Sequence, residues 1–269
     1  NNYGAGNALK YDRSDRLFTK LSYEYAFRLP NQFEIFGDGL LIQQNLELRP
    51  ESSHNVNFLW NLKNKTGNSN DWQLQVNFFL RSIRDLIRPF PIIAQGAGDA
   101  ILSQNQNIFS STSQGFELTG TWKNLIKGLT LDANTTYQRF FNTSDSGPFT
   151  RNKGDRIPLE PYFFANGKAE YELKNIIRQN DNLSFFWNTR FVHSFFIGWE
   201  GDGANFQQFK DQVPHQTIHA AGITYRMNIK KLQNAITLEV QNLTNEKVFD
   251  FFGVQRPGRA FYIKSTIQF

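Results

Sequence analysis

Period-two alternation is the feature that most limits what this chain can fold into. Ile236, Leu238 and Val240 alternate with Thr237, Glu239 and Gln241. After a short connection bearing Gly and Pro, Phe261, Ile263, Ile267 and Phe269 alternate with Tyr262, Lys264, Thr266 and Gln268. Successive side chains on a strand point to opposite faces, so each run reads as a strand with one apolar and one polar face, and together they form an antiparallel pair. The pattern recurs upstream. Leu17, Leu21, Tyr23, Tyr25 and Phe27 oppose Lys20, Ser22, Glu24 and Arg28, and Val56, Phe58, Trp60 and Leu62 oppose Asn55, Asn57 and Asn61. Further runs start near Trp72, Phe116, Leu129, Leu159, Leu183 and Ala221, giving roughly ten strands. Residues 1–15, polar and rich in Gly and Asn, read as the tail of a loop.

The connections alternate between long and short. Long loops are expected at about 29–50, 89–113, 142–157 and 194–214, with short polar turns such as KNKTGNSN, NLIKG, KNIIRQND and NIKKLQ between them. A soluble sandwich has no reason to gather its long loops at one end, whereas an outer-membrane barrel has short periplasmic turns and long extracellular loops. The polar faces carry amides, hydroxyls and charges, where a soluble barrel would place its apolar set inside. The expected fold is therefore all-β, an antiparallel transmembrane β-barrel. Its apolar face meets lipid and its polar face lines water or a plug. Composition agrees: mean hydropathy is only −0.51 and hydrophobic residues are 39%, yet aromatics reach 15%. Alternating strands dilute apolar residues in this way, and no run reaches the roughly 18 residues of a spanning helix.

Other classes are excluded or weakened by the same reading. There is no cysteine, which removes disulfides, thiolate metal sites and a cysteine nucleophile. The net charge of +5 is scattered among acids and amides without a basic helix, so no nucleic-acid partner is expected. His215 and His219 have the spacing of a helical zinc pair, but Gln216 replaces the glutamate of that motif and the context is loop into strand. Glu200 and Asp202 sit in a glycine turn without the ligand spacing of a calcium loop. We therefore expect no metal, no cofactor and no catalytic residue. Among the lumen-side charges, Arg81, Arg190, Lys168, Glu170 and Glu172 either solvate the interior or border a ligand path.

Three stretches carry a resemblance to a known family. SYEYAFRLPNQFEIFGDG leading through QNLELRPE, then QGFELTGTW, then NLTNEKVFD with PGRAFY before the terminal alternation follow one another in order. They resemble the strand with its R-x-P turn, the L-x-P-E strand start, the G-x-E-L strand and the closing hairpin of TonB-dependent outer-membrane transporters. The likeness covers most of residues 16–269 and implies that residues 1–269 are the carboxy-terminal portion of a barrel of about 22 strands. The plug domain and early strands of the family are absent from this chain. The resemblance implies uptake of a scarce ligand with energy from TonB, most often a ferric siderophore or similar iron chelate. It implies as partners the TonB complex through the missing plug, the barrel-assembly machinery, and outer-membrane lipid and lipopolysaccharide. Phe261, Ile263, Ile267 and Phe269 resemble the terminal signal read during barrel assembly. The Asn-, Phe- and Lys-rich composition looks like family members from Bacteroidetes. Two alternatives remain at this stage: a self-contained ten-stranded barrel enzyme resembling outer-membrane proteases, with His215 at its rim, and a passive porin.

For a ligand, the expected first contacts are the loops at 89–113 and 196–213. The former carries Phe90 among prolines and glycines, the latter Trp199, Phe206 and Phe209 beside Lys210. Rings beside a cation suit an aromatic or sugar-like body with anionic groups. Packing of the rings on one another is the competing expectation.

Overall fold

The computed structural model describes residues 3–64, 70–93, 101–200, 212–229, 232–250 and 254–268. Its strands in chain order are β1 (Ala5–Ser14), β2 (Leu17–Arg28), β3 (Ile42–Gln43), β4 (Glu51–Asn64), β5 (Asp71–Ile93), β6 (Ile101–Lys123) and β7 (Leu129–Asn142). They continue as β8 (Phe163–Lys174), β9 (Asn182–Val192), β10 (Phe195–Phe196), β11 (Gln212–Val213), β12 (Gln216–Ile229), β13 (Leu232–Gln241) and β14 (Ala260–Gln268). One short helix, α1 (Gln32–Phe36), and a 3-10 turn at Thr150–Asn152 lie in the connections. A 12-stranded sheet runs β1-β2-β4-β5-β6-β7-β8-β9-β12-β13-β14, every neighbour antiparallel, with β3 added in parallel on β6. The sheet is not closed: among the described residues β1 and β14 each pair on one side only.

The expected polar tail at residues 1–15 is a strand instead. Asp15 and Arg16 turn the chain, Ser14 Oγ accepts from Arg16 N and Leu17 N at 3.3 and 3.2 Å, and Leu9 and Tyr11 pair with Leu21 and Thr19. Only two large apolar residues alternate there, too few for the pattern to show. The expected loop at 89–113 is also corrected. Residues 71–93 and 101–123 form a hairpin with pairing out to Ile93↔Ile101, so only residues 94–100 are left outside the described strands. The connection in the closing hairpin, residues 242–259, belongs to the long series and gathers at the same end as the others.

Register confirms the two faces. Across the sheet one row reads Leu17, Leu62, Leu74, Gly120, Ala133 and Gly167, and another reads Leu131, Ala169, Trp187, Ala221 and Val240. The opposite face has Asn61, Gln75, Thr119, Asn134, Asn166 and Arg190 in one row. The apolar face is left bare, with Phe78 52% exposed and Leu238 53% exposed. An apolar area of this extent needs lipid rather than water against it. At the short-turn end Trp72 and Trp122 lie 6.4 Å apart, the position of an interfacial aromatic belt.

On the polar face two glycines set how closely neighbours approach. Phe79 lies across Gly115, where a Cβ would stand 2.0 Å from the Tyr137 carbonyl oxygen, and Phe186 lies across Gly222, where a Cβ would stand 2.3 Å from its ring. Any larger residue would force the ring or the strand aside.

Candidate functional site

The long-connection end is a built layer rather than a set of free loops. Asp85, at φ 54, interrupts the alternation of β5, so that Ile83 before it and Leu86 and Phe90 after it meet the same cluster. There they join Ile108, Phe140, Ile157 and Trp199, all buried, with Phe149 packed against them. Phe90 stacks on Phe149 at 4.4 Å and on Trp199 at 5.7 Å between ring centroids. The connection between β7 and β8 and the start of that between β9 and β12 are thus fixed on the β5/β6 hairpin. Burial of large rings like these contributes on the order of 2–3 kcal/mol each.

The connection between β2 and β4 is held to the same hairpin by polar contacts. Asn31 and Glu34 form a capping box on α1, and Arg28 spans Glu34 at 2.9 Å and Glu51 at 2.7 Å. Glu51 Oε1 also accepts the Ile87 amide at 2.7 Å. Asn107 receives the Arg49 amide on its Oδ1 at 2.9 Å and donates to the Asp85 carbonyl at 2.7 Å. Arg49 stands 2.6 Å from Asp85 Oδ1, an ion contact rather than an aligned hydrogen bond. Farther out, the Asp38 carboxylate accepts the amides of Ile42, Leu40 and Leu41, which lower its pKa below the ordinary carboxylate range.

Beside the ring cluster, on the inner face, Arg88, Gln138 and Glu160 form a polar ledge that sequence reasoning missed. Arg88 pairs with Glu160 and lies over the Phe140 ring, and Gln138 donates to Glu160 and to the Pro161 carbonyl. Arg156 covers the Tyr162 ring at 4.4 Å and is 3.9 Å from Glu200, while the Tyr162 hydroxyl is 2.8 Å from His193 Nε2. Chemically the ledge offers a guanidinium over a ring on the inner face, whereas Tyr162 and His193 contact Tyr137 and Phe191 of the lipid-facing set, so Arg156 and that aromatic pair belong to the outer rim of the wall. These residues are scattered along the sequence and no local spacing announces them.

The sequence-expected residues separate into groups. Phe90 and Trp199 are 6% and 8% exposed and pack on each other, so the expectation of exposed contact rings is corrected for these two. Phe206, Phe209 and Lys210 lie outside the described residues, as does Phe269. Arg81 is exposed on the polar face over the Phe79 ring at 5.1 Å. Arg190 lies four strands away, in a concave patch of about 280 Å³ with Asp132, Asn134, Asn166, Lys168 and Asn188. The pairing row of Arg190 meets β5 at Gln75, six residues from Arg81, so at about 4.8 Å per strand and 3.3 Å per residue the two arginines are well over about 19 Å apart and do not form one site. Lys168 and Glu170 pair at 2.7 Å, and Glu172 pairs with Lys174 at 3.6 Å. Phe261, Ile263 and Ile267 are exposed on the free strand β14. His219 sits in strand β12 against the Trp187 ring at 5.3 Å, not on a helix, and no group of three or more His, Asp or Glu that could hold a metal occurs among the described residues. An apolar furrow of about 760 Å³, lined by Tyr171, Trp187, Ile223, Leu238 and Phe261, is on the lipid-facing side and away from the vestibule.

Comparison with known proteins adds to this geometry. The family described as "TonB dependent receptor-like, beta-barrel" matches residues 2–243. No curated protein matches the sequence. Among solved structures, a variant of the ferric enterobactin receptor of Pseudomonas aeruginosa superposes with a TM-score of 0.64 at 20% identity, covering 98% of this chain and 40% of its own. The copper transporter OprC gives 0.66 at 17%, covering 96% and 38%. The ferric preacinetobactin receptor of Acinetobacter baumannii gives 0.65 at 14%, covering 97% and 36%. The chain thus spans about two fifths of the length of the structures it resembles.

Proposed function

This chain belongs to the TonB-dependent receptor-like β-barrel family, a family of outer-membrane transport proteins rather than enzymes, and from that premise we propose that it forms part of the wall of a receptor that takes up a ferric siderophore or similar iron chelate with energy delivered through TonB. The observation that carries the reading is the one-sided vestibule. A polar, concave wall is capped at one end by long connections fixed on a tall hairpin, with Arg88 over the Phe140 ring and Arg81 over the Phe79 ring on its inner face. Guanidiniums next to rings match an anionic ligand with aromatic groups, since charge and stacking act on the same body. The names of solved neighbours as receptors for ferric enterobactin and ferric preacinetobactin support iron chelates, and the copper transporter makes the metal the part to test.

In this proposal the free edges of β1 and β14 are completed by further strands, since an unpaired strand edge in lipid leaves its amides and carbonyls without partners. Residues 1–269 are then the carboxy-terminal arc of a barrel of about 22 strands. A plug elsewhere in the protein meets TonB, and Phe261, Ile263, Ile267 and Phe269 present the terminal strand to the barrel-assembly machinery. Arg81 and Arg190 border the path, Phe90 and Trp199 fix the connections above it, and Phe206, Phe209 and Lys210 contribute to ligand contact. Lipopolysaccharide surrounds the outer rim.

The test is binding of a panel of ferric catecholates, ferric hydroxamates and copper complexes to the full-length protein, beside the variant with Arg88→Ala and Gln138→Ala. A ferric chelate is expected to bind, and the double variant to lose about tenfold or more in affinity, roughly 1.4 kcal/mol. Binding of copper alone, or an unchanged affinity in a correctly inserted variant, would overturn the iron assignment or the ledge respectively.

A further inference from the structure

The short-turn end carries a repeated construction that transport does not use. The β6/β7 turn reads Asn124-Leu125-Ile126-Lys127 and the β8/β9 turn reads Asn175-Ile176-Ile177-Arg178. Each begins on an asparagine with positive φ, 54° at Asn124 and 58° at Asn175, and each of these side chains accepts an amide from the far side of its own turn, Gly128 at 3.2 Å and Asn180 at 2.8 Å. The result in both is an aliphatic pair pushed outward beside a cation. Ile126 is 61% exposed and Ile177 is 71% exposed, with Leu125 and Ile176 also exposed. Lys127 and Arg178 are exposed as well, and among the described residues neither takes part in an ion pair.

These turns are rigid, so the exposure is a fixed property of the fold. The buried Asp181 carboxylate accepts the amides of Ile176, Ile177 and Arg178 at 2.7, 2.8 and 2.8 Å and the Tyr225 hydroxyl at 2.8 Å. Tyr225 belongs to the lipid-facing side, so the turn is tied directly to that side of the wall. The Glu172 amide donates to the Gly128 carbonyl at 2.8 Å, which fixes the first turn against the strand leading to the second. The next short turn along the sheet, β12/β13, has the sequence Asn228-Ile229-Lys230-Lys231-Leu232; side chains 228–231 lie outside the described residues, and Leu232 is exposed.

We propose that the β6/β7 and β8/β9 turns form an interfacial anchor, in which the aliphatic pairs enter the headgroup boundary of the inner leaflet and Lys127 and Arg178 hold the phosphates of an anionic phospholipid. Aliphatic groups with adjacent cations are the side-chain pattern of surfaces that lie in such a boundary. The construction recurs at one level in two turns set two strand spacings, roughly 10 Å, apart, so both aliphatic pairs meet one planar surface. The belt made by Trp72 and Trp122 stands at the same end, where rings mark the membrane interface. The anchor depends on this chain spanning a membrane and not on what the barrel carries.

The chain has no cysteine, which makes site-directed labelling direct. Spin labels at Ile126→Cys and Ile177→Cys, with Asp15→Cys in the non-aliphatic β1/β2 turn as reference, are placed in the full-length protein with any other cysteine removed. In phosphatidylethanolamine vesicles containing phosphatidylglycerol, the labels at 126 and 177 are expected to be oxygen-accessible and shielded from a water-soluble nickel chelate, with the label at 15 open to it. Equal nickel access at all three overturns the anchor. Shielding that appears only when periplasmic extract is added overturns it in favour of a protein partner. For the charge, Lys127→Gln with Arg178→Gln should lower co-purified phosphatidylglycerol about threefold, and unchanged lipid would remove the cations from the assignment.

Discussion

The two ends of this sheet are built by different means. At the short-turn end each turn is shaped by contacts among its own residues: Ser14 with Arg16 and Leu17, Asn124 with Gly128, Asp181 with the amides three to five residues before it. At the long-connection end the contacts join residues far apart in sequence, as in Arg28 with Glu51, Arg88 with Glu160, and Phe90 with Trp199. Local turns form whenever their own residues allow. The vestibule forms only once the hairpin, three connections and the wall are all in place, and it is accordingly the region where one side-chain loss spreads furthest.

Breaking the ring cluster should have the largest effect and should be confined to one end. Trp199→Ala removes a buried ring, a change that costs about 3–5 kcal/mol in a packed core. Hydrogen exchange at residues 143–162 and 195–200 should rise sharply while heat-modifiability of the barrel stays unchanged. Loss of the barrel itself would mean that the two ends are not independent.

A middle-sized effect is expected at the other end. In Asp181→Asn, exchange protection at Ile176, Ile177 and Arg178 should fall by about tenfold, with the vestibule unaffected. Burial raises the Asp181 pKa, but the three amides and the Tyr225 hydroxyl outweigh it and the net shift is downward from the ordinary 3.8. A carboxylate whose folded pKa is depressed stabilises above its unfolded value and loses that contribution as pH falls through the folded value. Protection in the wild type should therefore persist down to about pH 4 and fall only below it. Protection lost already between about pH 6 and 5 would show that another group controls the turn.

The smallest effect is expected for Arg28→Ala. Its side chain is partly exposed, so screening limits the loss to about 0.5–1 kcal/mol even with two carboxylate partners. The change should appear as faster exchange at residues 31–43 alone. An effect as large as that of Trp199→Ala would mean that the charge network, not the ring cluster, holds the vestibule.

The same division explains what the sequence made legible. Alternation in residues 17–28, 52–62, 72–81 and 236–240 identified strands and faces, because period two is a property of consecutive residues. It did not identify β1, where Leu9 and Tyr11 are too few, nor the extension of β5, where Pro89, Pro91 and the positive φ of Asp85 imitate a loop. Phe90 and Trp199 were noticed as apolar residues in loops, but their contact spans more than a hundred positions and only the folded wall brings it about. The pairing of Arg88 with Glu160 on the inner face and of Arg156 with Tyr162 on the outer rim gave no local signal of any kind.

The 23-residue strands of the β5/β6 hairpin have a mechanical consequence. At about 3.3 Å per residue each strand is roughly 75 Å long, and about eleven tilted residues are enough for the apolar band. The remainder is a mast, stayed on one flank by the Ile42↔Ser103 pairing and stepped into the ring cluster at its base. A stiff mast carries a lateral load at its tip down to its foot with little loss, whereas a slack tether would dissipate it in bending. A load on the outermost described pair, Ile93↔Ile101, is therefore passed to Phe90, and through it to the packing that Trp199 and Phe149 share.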